Sequence, residues 1–114
     1  MVQQFNELPQ KAETAEDGSL VLTHNSLCGF DGANPKVRMF SLVELEPGKE
    51  VPFHTHTGEN ETYFFLSGNG IYSDNGTEVT ITPGLTTFCP DGEGHGVRNT
   101  GDDLIRFVCM IVVD

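Results

Sequence analysis

Three histidines and one glutamate in this sequence are spaced as the ligands of one metal ion would be. His54 and His56 are two residues apart, so on an extended strand both imidazoles leave the same face. Glu61 follows five residues after His56, which allows a short bend and a return strand, and His95 lies further along the chain. Three imidazoles and one carboxylate suit divalent iron, manganese, nickel, cobalt or zinc, and they can leave coordination positions open for a ligand. The sequence therefore predicts one divalent transition metal per chain, at a site that could be reactive.

Short strands must hold these residues, because apolar segments alternate with turn residues along the whole chain. Residues 37–46 form the clearest strand, and residues 61–66 carry bulky side chains on both faces. Thirteen glycines and six prolines separate the strands, and Asn75-Gly76 is the typical centre of a hairpin turn. No segment has a helical period. About nine to eleven short strands at regular spacing predict an all-β sandwich or barrel.

The spacing around the four residues resembles the two motifs of the cupin superfamily. Residues 48–68 read glycine, five residues, His-Thr-His, four residues, glutamate, six residues and glycine. Residues 84–99 read glycine, five residues, Pro-Asp-Gly, two residues, histidine, three residues and asparagine. The resemblance implies a single-domain cupin with the conserved β-barrel, also called a double-stranded β-helix or jelly roll. We expect this domain to cover residues 19–114 and the polar residues 1–18 to form an N-terminal arm.

Side-chain parity selects candidates for the wall of a substrate cavity. Tyr63 and Phe65 share a face with Glu61, Val97 shares a face with His95, and Cys109 is predicted to point inward from the last strand. Three residues are candidates for catalysis. Glu61 could act as a base if it leaves the metal, Tyr63 could donate a proton or a hydrogen bond, and Cys109 is the third. The plainer alternative is that Tyr63 fills the barrel and that Cys109 is a small core residue.

Two further expectations concern residues outside the motifs. His24 is expected to be an ordinary strand residue. Arg38 could face inward or outward, and no arginine or lysine is firmly placed in the cavity by the sequence. A strongly anionic substrate, such as a sugar phosphate, is therefore not expected.

Composition limits the partners and the compartment. Six Lys and Arg against seventeen Asp and Glu give a net charge of −11, which argues against nucleic acid and anionic membranes as partners. No apolar run is long enough to span a membrane, and the first residues lack a secretory apolar core, so a cytoplasmic protein is predicted. The odd number of cysteines (Cys28, Cys89 and Cys109) argues against a disulfide framework.

The function that these features favour is that of a metal-dependent protein acting on a small organic molecule. A mononuclear metal dioxygenase is the leading expectation, because three His and one Glu leave room for dioxygen and substrate. Isomerase, decarboxylase or lyase chemistry stays open, as does a non-catalytic protein that binds a small ligand through the metal. A homodimer is expected from the resemblance and from the apolar residues at alternate positions of two strands, which are Phe40, Leu42, Phe64 and Leu66.

Overall fold

The computed structural model describes residues 2–27 and 34–114, and the regular structure of these residues consists of ten strands and one short helix. A short 3₁₀ helix covers Phe5–Glu7. The strands are β1 Gln10–Thr14, β2 Leu20–Ser26, β3 Val37–Leu45, β4 Glu50–Thr55, β5 Glu59–Ser67, β6 Gly70–Asp74, β7 Thr77–Ile81, β8 Thr86–Cys89, β9 Gly94–Asn99 and β10 Ile105–Val113. In these two ranges no helix has the length and apolar character needed to cross a membrane. The all-β prediction is confirmed.

The strands form two antiparallel sheets that enclose one hydrophobic core. The first sheet has the order β1-β2-β3-β10-β5-β8, and the second has the order β4-β9-β6-β7. Both sheets contribute to the core, with Phe65 and Phe107 from the first sheet and Tyr72, Ile81 and Val97 from the second. This is the jelly-roll arrangement that the sequence predicts.

Alternation along β5 and β10 decides which side chains reach the interior. On β5, Glu61, Tyr63 and Phe65 are buried, whereas Phe64 and Leu66 are 43% and 39% exposed. On β10, every second residue from Ile105 to Ile111 is buried in the same way. Because side chains alternate between the two faces of a strand, the register of β5 sends Glu61 inward together with the aromatic residues beside it.

The β6–β7 hairpin has the turn that its sequence predicts. Asn75 and Gly76 have φ values of 52° and 99°, the left-handed pair of a type I′ turn. Gly70 opens the hairpin and has no space for a side chain, because a Cβ atom there would collide with the backbone oxygen of Arg98. The backbone of the hairpin therefore packs closely against β9, the strand that carries His95.

Residues 10–14, within the segment expected to be an arm, pair antiparallel with β2 and form the edge strand β1. All five residues of β1 are exposed. The loop expected over residues 28–35 falls largely outside the described residues, and so does Cys28. Cys89 and Cys109 are buried free thiols.

Candidate metal centre

The four predicted metal ligands meet between the two sheets. Glu61 lies on β5 of the first sheet, His54 and His95 face each other on the paired strands β4 and β9 of the second, and His56 directly follows β4. The pairing of β4 with β9 is irregular between Val51 and His54. Side-chain exposure is 6% for His56, 5% for Glu61, 1% for His95 and 38% for His54. Three of the four side chains are therefore buried, and the site is open to solvent beside His54.

The distances between the donor atoms fit a single ion. The three Nε2 atoms lie 3.2 Å (His54–His56), 3.0 Å (His56–His95) and 3.1 Å (His54–His95) apart. Oε1 of Glu61 lies 2.9 Å from Nε2 of His56 and of His95, and 4.0 Å from Nε2 of His54. Donors placed about 2.1 Å from a common ion are about 3 Å apart at right angles and about 4 Å apart when opposite. The cluster therefore has the dimensions of a divalent metal site.

The second ring nitrogen of each histidine has a hydrogen-bond partner. Nδ1 of His54 lies 2.8 Å from the carbonyl oxygen of Pro52, and Nδ1 of His56 lies 2.7 Å from Oε2 of Glu59. Nδ1 of His95 lies 2.9 Å from the hydroxyl of Tyr72. The Pro52 carbonyl and the Glu59 carboxylate can only accept, so they keep the proton on Nδ1 of His54 and His56 and leave a lone pair on Nε2. The Tyr72 hydroxyl can accept from Nδ1 of His95 in the same way. Three lone pairs and a carboxylate then face one point, an arrangement that a cation stabilises.

The charge on Glu61 is maintained despite its burial. Burial opposes its ionisation, but the interactions with His54 and His95 outweigh this effect and hold the pKa of Glu61 at about 2. The same interaction with Glu61 raises the pKa of His54 above its ordinary value. Glu61 therefore offers an anionic donor atom over the whole physiological pH range.

A cavity of about 230 Å³, here called the inner cavity, lies beside the cluster and is lined by three of the four donors, His54, His56 and Glu61. Tyr63 and Cys109, two of the predicted cavity residues, are also on its wall. The other two, Phe65 and Val97, are buried in the core and are not among the described residues that line it. The ring of Phe65 instead packs 5.1 Å from that of Phe107, between centroids.

Several residues that the sequence did not assign to the site lie around it. Tyr72, from the β6–β7 hairpin, holds His95, and Glu59 holds His56. His24, which was expected to be an ordinary strand residue, lines the inner cavity, and its Nε2 atom lies 2.7 Å from Oε2 of Glu13. No motif spacing pointed to these residues; the proximity of Glu59 to the predicted ligands was the one available signal.

Arg38 corrects the expectation about cationic residues in the cavity. It lines both the inner cavity and an adjoining outer cavity of about 410 Å³. The two cavities share four residues, which are Glu13, His24, Arg38 and Met39. The guanidinium of Arg38 pairs with both carboxylate oxygens of Glu59. A cationic side chain therefore stands where the outer cavity meets the inner one, so the absence of a cation no longer argues against an anionic ligand.

Comparisons with known proteins agree with this geometry. The family model described as "Cupin domain" matches residues 41–111. The oxalate-binding protein of Thermotoga maritima is 32% identical over 105 residues, covering 92% of this chain and 87% of that protein. The oxalate decarboxylase of Arthroderma benhamiae is 34% identical over 68 residues, covering 55% of this chain and 16% of that protein.

A solved structure matches the whole chain. The crystal structure of a predicted oxalate decarboxylase from Thermotoga maritima has a TM-score of 0.88 and 31% identity, and the match covers 100% of both chains. The family match spans more than half of this chain, and both motifs fall in the two-sheet fold. The chain belongs to the cupin family.

Proposed function

We propose that this protein binds one divalent metal ion through His54, His56, Glu61 and His95, and uses it to bind a small dicarboxylate of the oxalate class. The observation that carries the proposal is the arrangement of the donor atoms. Nε2 of His54 and Oε1 of Glu61 are 4.0 Å apart. Every other pair of donor atoms in the cluster is separated by 2.9 to 3.2 Å, so all four atoms can reach one ion. These four residues would hold a divalent ion and would leave coordination positions free for a ligand. A bound divalent ion supplies a Lewis-acidic centre for carboxylate oxygens.

The surroundings of the site suit a small ligand. The inner cavity, at about 230 Å³, borders three of the donors, and Arg38, whose guanidinium pairs with Glu59, lies on its wall together with Glu13. A dicarboxylate could offer one oxygen from each carboxylate to the same metal ion, which a monocarboxylate cannot do. The 32% identical relative named an oxalate-binding protein points to the same ligand class.

The protonation of the cavity wall favours binding over turnover. Burial raises the pKa of Tyr63 well above its ordinary value, and burial raises the pKa of Cys109 to about 12. Both groups therefore stay protonated at neutral pH and can donate hydrogen bonds, but they are poorly matched to proton transfer near neutral pH. We therefore propose a binding role for Tyr63 and Cys109, which the sequence made candidates for catalysis.

The enzyme that the sequence favours, a metal dioxygenase, is the second candidate, with decarboxylase chemistry beside it. One observation supports an enzyme: His24 and Glu13 form a hydrogen-bonded pair on the wall of the inner cavity. An imidazole oriented by a carboxylate is a common acid–base device. A redox-active metal held by these four residues would supply a centre for dioxygen chemistry.

Calorimetric titration of manganese-loaded protein separates these candidates. We expect oxalate to bind with a stoichiometry of one per chain, malonate and formate to bind more weakly, and metal-free protein to bind none of them. Labelled oxalate should be recovered unchanged after long incubation in air. Release of carbon dioxide or formate would replace the binding role with an enzymatic one. Equal binding of oxalate to metal-free protein would refute binding through the metal.

A further inference from the structure

Glu59 contacts a predicted metal ligand and an arginine with the same oxygen atom. Its Oε2 atom lies 2.7 Å from Nδ1 of His56 and 2.8 Å from Nη2 of Arg38. Its Oε1 atom lies 2.8 Å from Nε of Arg38. Two parallel N–H···O bonds from one guanidinium fix both the position and the plane of a carboxylate. The orientation of the oxygen that accepts the His56 proton is therefore set by Arg38.

The contact joins distant parts of the sheet. Arg38 lies on β3 and Glu59 begins β5, and β10 separates these strands, with Val112 opposite Val37 and Val113 opposite Glu59. The side chain of Arg38 therefore reaches across β10. Arg38 is 51% exposed, whereas Glu59 and His56 are only 14% and 6% exposed. The chain of contacts leads from the cavity wall to a buried metal ligand.

Other arginine–glutamate pairs on the same barrel make no such link. Arg98 lies 3.0 Å from Glu78 and Arg106 lies 3.2 Å from Glu44, and in the described structure neither glutamate contacts one of the four predicted ligands. Exposed ion pairs of this kind contribute little by themselves. The pair formed by Arg38 differs because the second hydrogen-bond partner of its carboxylate is the imidazole of His56, a predicted metal ligand.

We propose that Arg38 is a positioning residue for the metal centre, which raises metal affinity through Glu59 and His56 without touching the ion. Outer groups that hold a ligating histidine commonly change metal affinity about 10- to 100-fold when removed. Glu59 acts directly on His56, and Arg38 acts only by holding Glu59. The effect of Arg38 should therefore vanish when Glu59 is absent. This inference rests on the proposed metal site.

The test is a double-mutant cycle on the affinity for cobalt(II) alone, without any organic ligand present. Affinity is measured by competition with a chelator, and the visible absorption of cobalt reports its ligand set. We expect Glu59→Ala to lower affinity about 10- to 100-fold and Arg38→Met to lower it about 3- to 10-fold. The Arg38→Met/Glu59→Ala double variant should match Glu59→Ala alone. Arg38→Lys keeps the positive charge but loses the two parallel N–H donors of the guanidinium. Its cobalt affinity should fall between that of Arg38→Met and that of the unaltered protein.

Arg98→Met is the matched control, since Arg98 has a similar exposure of 49% and its own glutamate partner. It should leave affinity within about twofold of the unaltered protein. Thermal unfolding of each metal-free variant verifies that it is folded. An Arg38→Met affinity equal to that of Arg98→Met would overturn the inference. It would also be overturned if the affinity loss of the double variant were the product of the losses of Arg38→Met and Glu59→Ala. Absence of cobalt binding by the unaltered protein would refute the metal site itself, together with this inference.

Discussion

The hydroxyl of Tyr72 lies 2.9 Å from Nδ1 of His95, and this contact determines which nitrogen of the histidine faces the other ligands. His95 is fully buried, and the ring of Tyr63 stacks on it with a centroid separation of 4.9 Å. The imidazole is thus held by a ring on its face and by a hydroxyl at its edge. Burial raises the pKa of Tyr72 to about 12, so its hydroxyl stays neutral at physiological pH.

Replacing Tyr72 by Phe should weaken metal binding while preserving the fold. The ring remains and continues to pack, but Nδ1 of His95 loses its hydrogen-bond partner, so the imidazole is held less firmly with Nε2 toward the other donors. We expect metal affinity to fall by about tenfold, at the lower end of the range for such groups. Chelator competition gives the affinity, and thermal unfolding of the metal-free variant serves as the control. An unchanged affinity would show that Tyr72 only fills space.

Acidification should release the metal through the histidines and not through Glu61. The pKa of Glu61 is held at about 2, so this carboxylate remains ionised while the imidazoles take up protons. The raised pKa of His54 means that protons compete with the metal at this residue already above the ordinary histidine range. Metal affinity measured between about pH 8 and pH 5 should fall steadily, and affinity that holds constant to about pH 5 would contradict this assignment.

The metal-free protein should show the opposite dependence of stability on pH. Because the folded pKa of His54 is raised from 6.5, its protonation stabilises the fold fully below that value, and the contribution is lost as pH rises through the folded pKa. The lowered pKa of Glu61 stabilises the fold above 4.5, and this contribution is lost only as pH falls toward about 2. Denaturant unfolding of metal-free protein should therefore give greater stability at about pH 6 than at about pH 8. His54→Ala should remove most of the difference; a difference that persists in this variant would exclude His54 as its source.

The outer face of the larger sheet is the expected dimer interface. Phe64, Leu66 and Phe88 are 43%, 39% and 56% exposed on β5 and β8, and Phe40 and Leu42 on β3 are half-buried. We expect a second copy of this chain to cover this face, because neighbouring exposed apolar side chains are stabilised by association. The Leu66→Glu/Phe88→Glu double variant should be monomeric by light scattering. Val79→Glu, on a strand of the other sheet, should stay dimeric; an unaltered protein that is monomeric at all concentrations would refute the interface.

The sequence was sufficient to predict the fold and the set of residues that meet at the candidate site. Turn residues separate the strands, and alternation along β5 correctly places Glu61, Tyr63 and Phe65 on the inner face. The spacing of His54 and His56, with Glu61 and His95, predicts a cluster that the structure brings within hydrogen-bond distance. These features could be predicted because each depends on local periodicity or on a motif with fixed spacing.

The residues that hold and surround the cluster could not be predicted, because they depend on how distant strands pair. Tyr72 reaches His95 only because β6 pairs with β9, which sets Asp74 opposite His95. Arg38 reaches Glu59 only because β3 and β5 both pair with β10, which brings the start of β3 and the start of β5 to the same end of the sheet. Glu13 contacts His24 because residues expected to be an arm form an edge strand. Strand order and register are properties of the whole sheet, and a single sequence does not reveal them.

The most direct test of the account is the metal content of the untagged protein, measured by plasma mass spectrometry beside the His54→Ala variant. His54 is the most exposed of the four residues, so its loss should not unfold the chain. We predict about one divalent transition metal per chain in the unaltered protein, retained after dialysis, and a large loss in the variant. No metal in the unaltered protein, even after reconstitution, or equal metal in both proteins, would contradict the assignment of His54, His56, Glu61 and His95 as a metal centre.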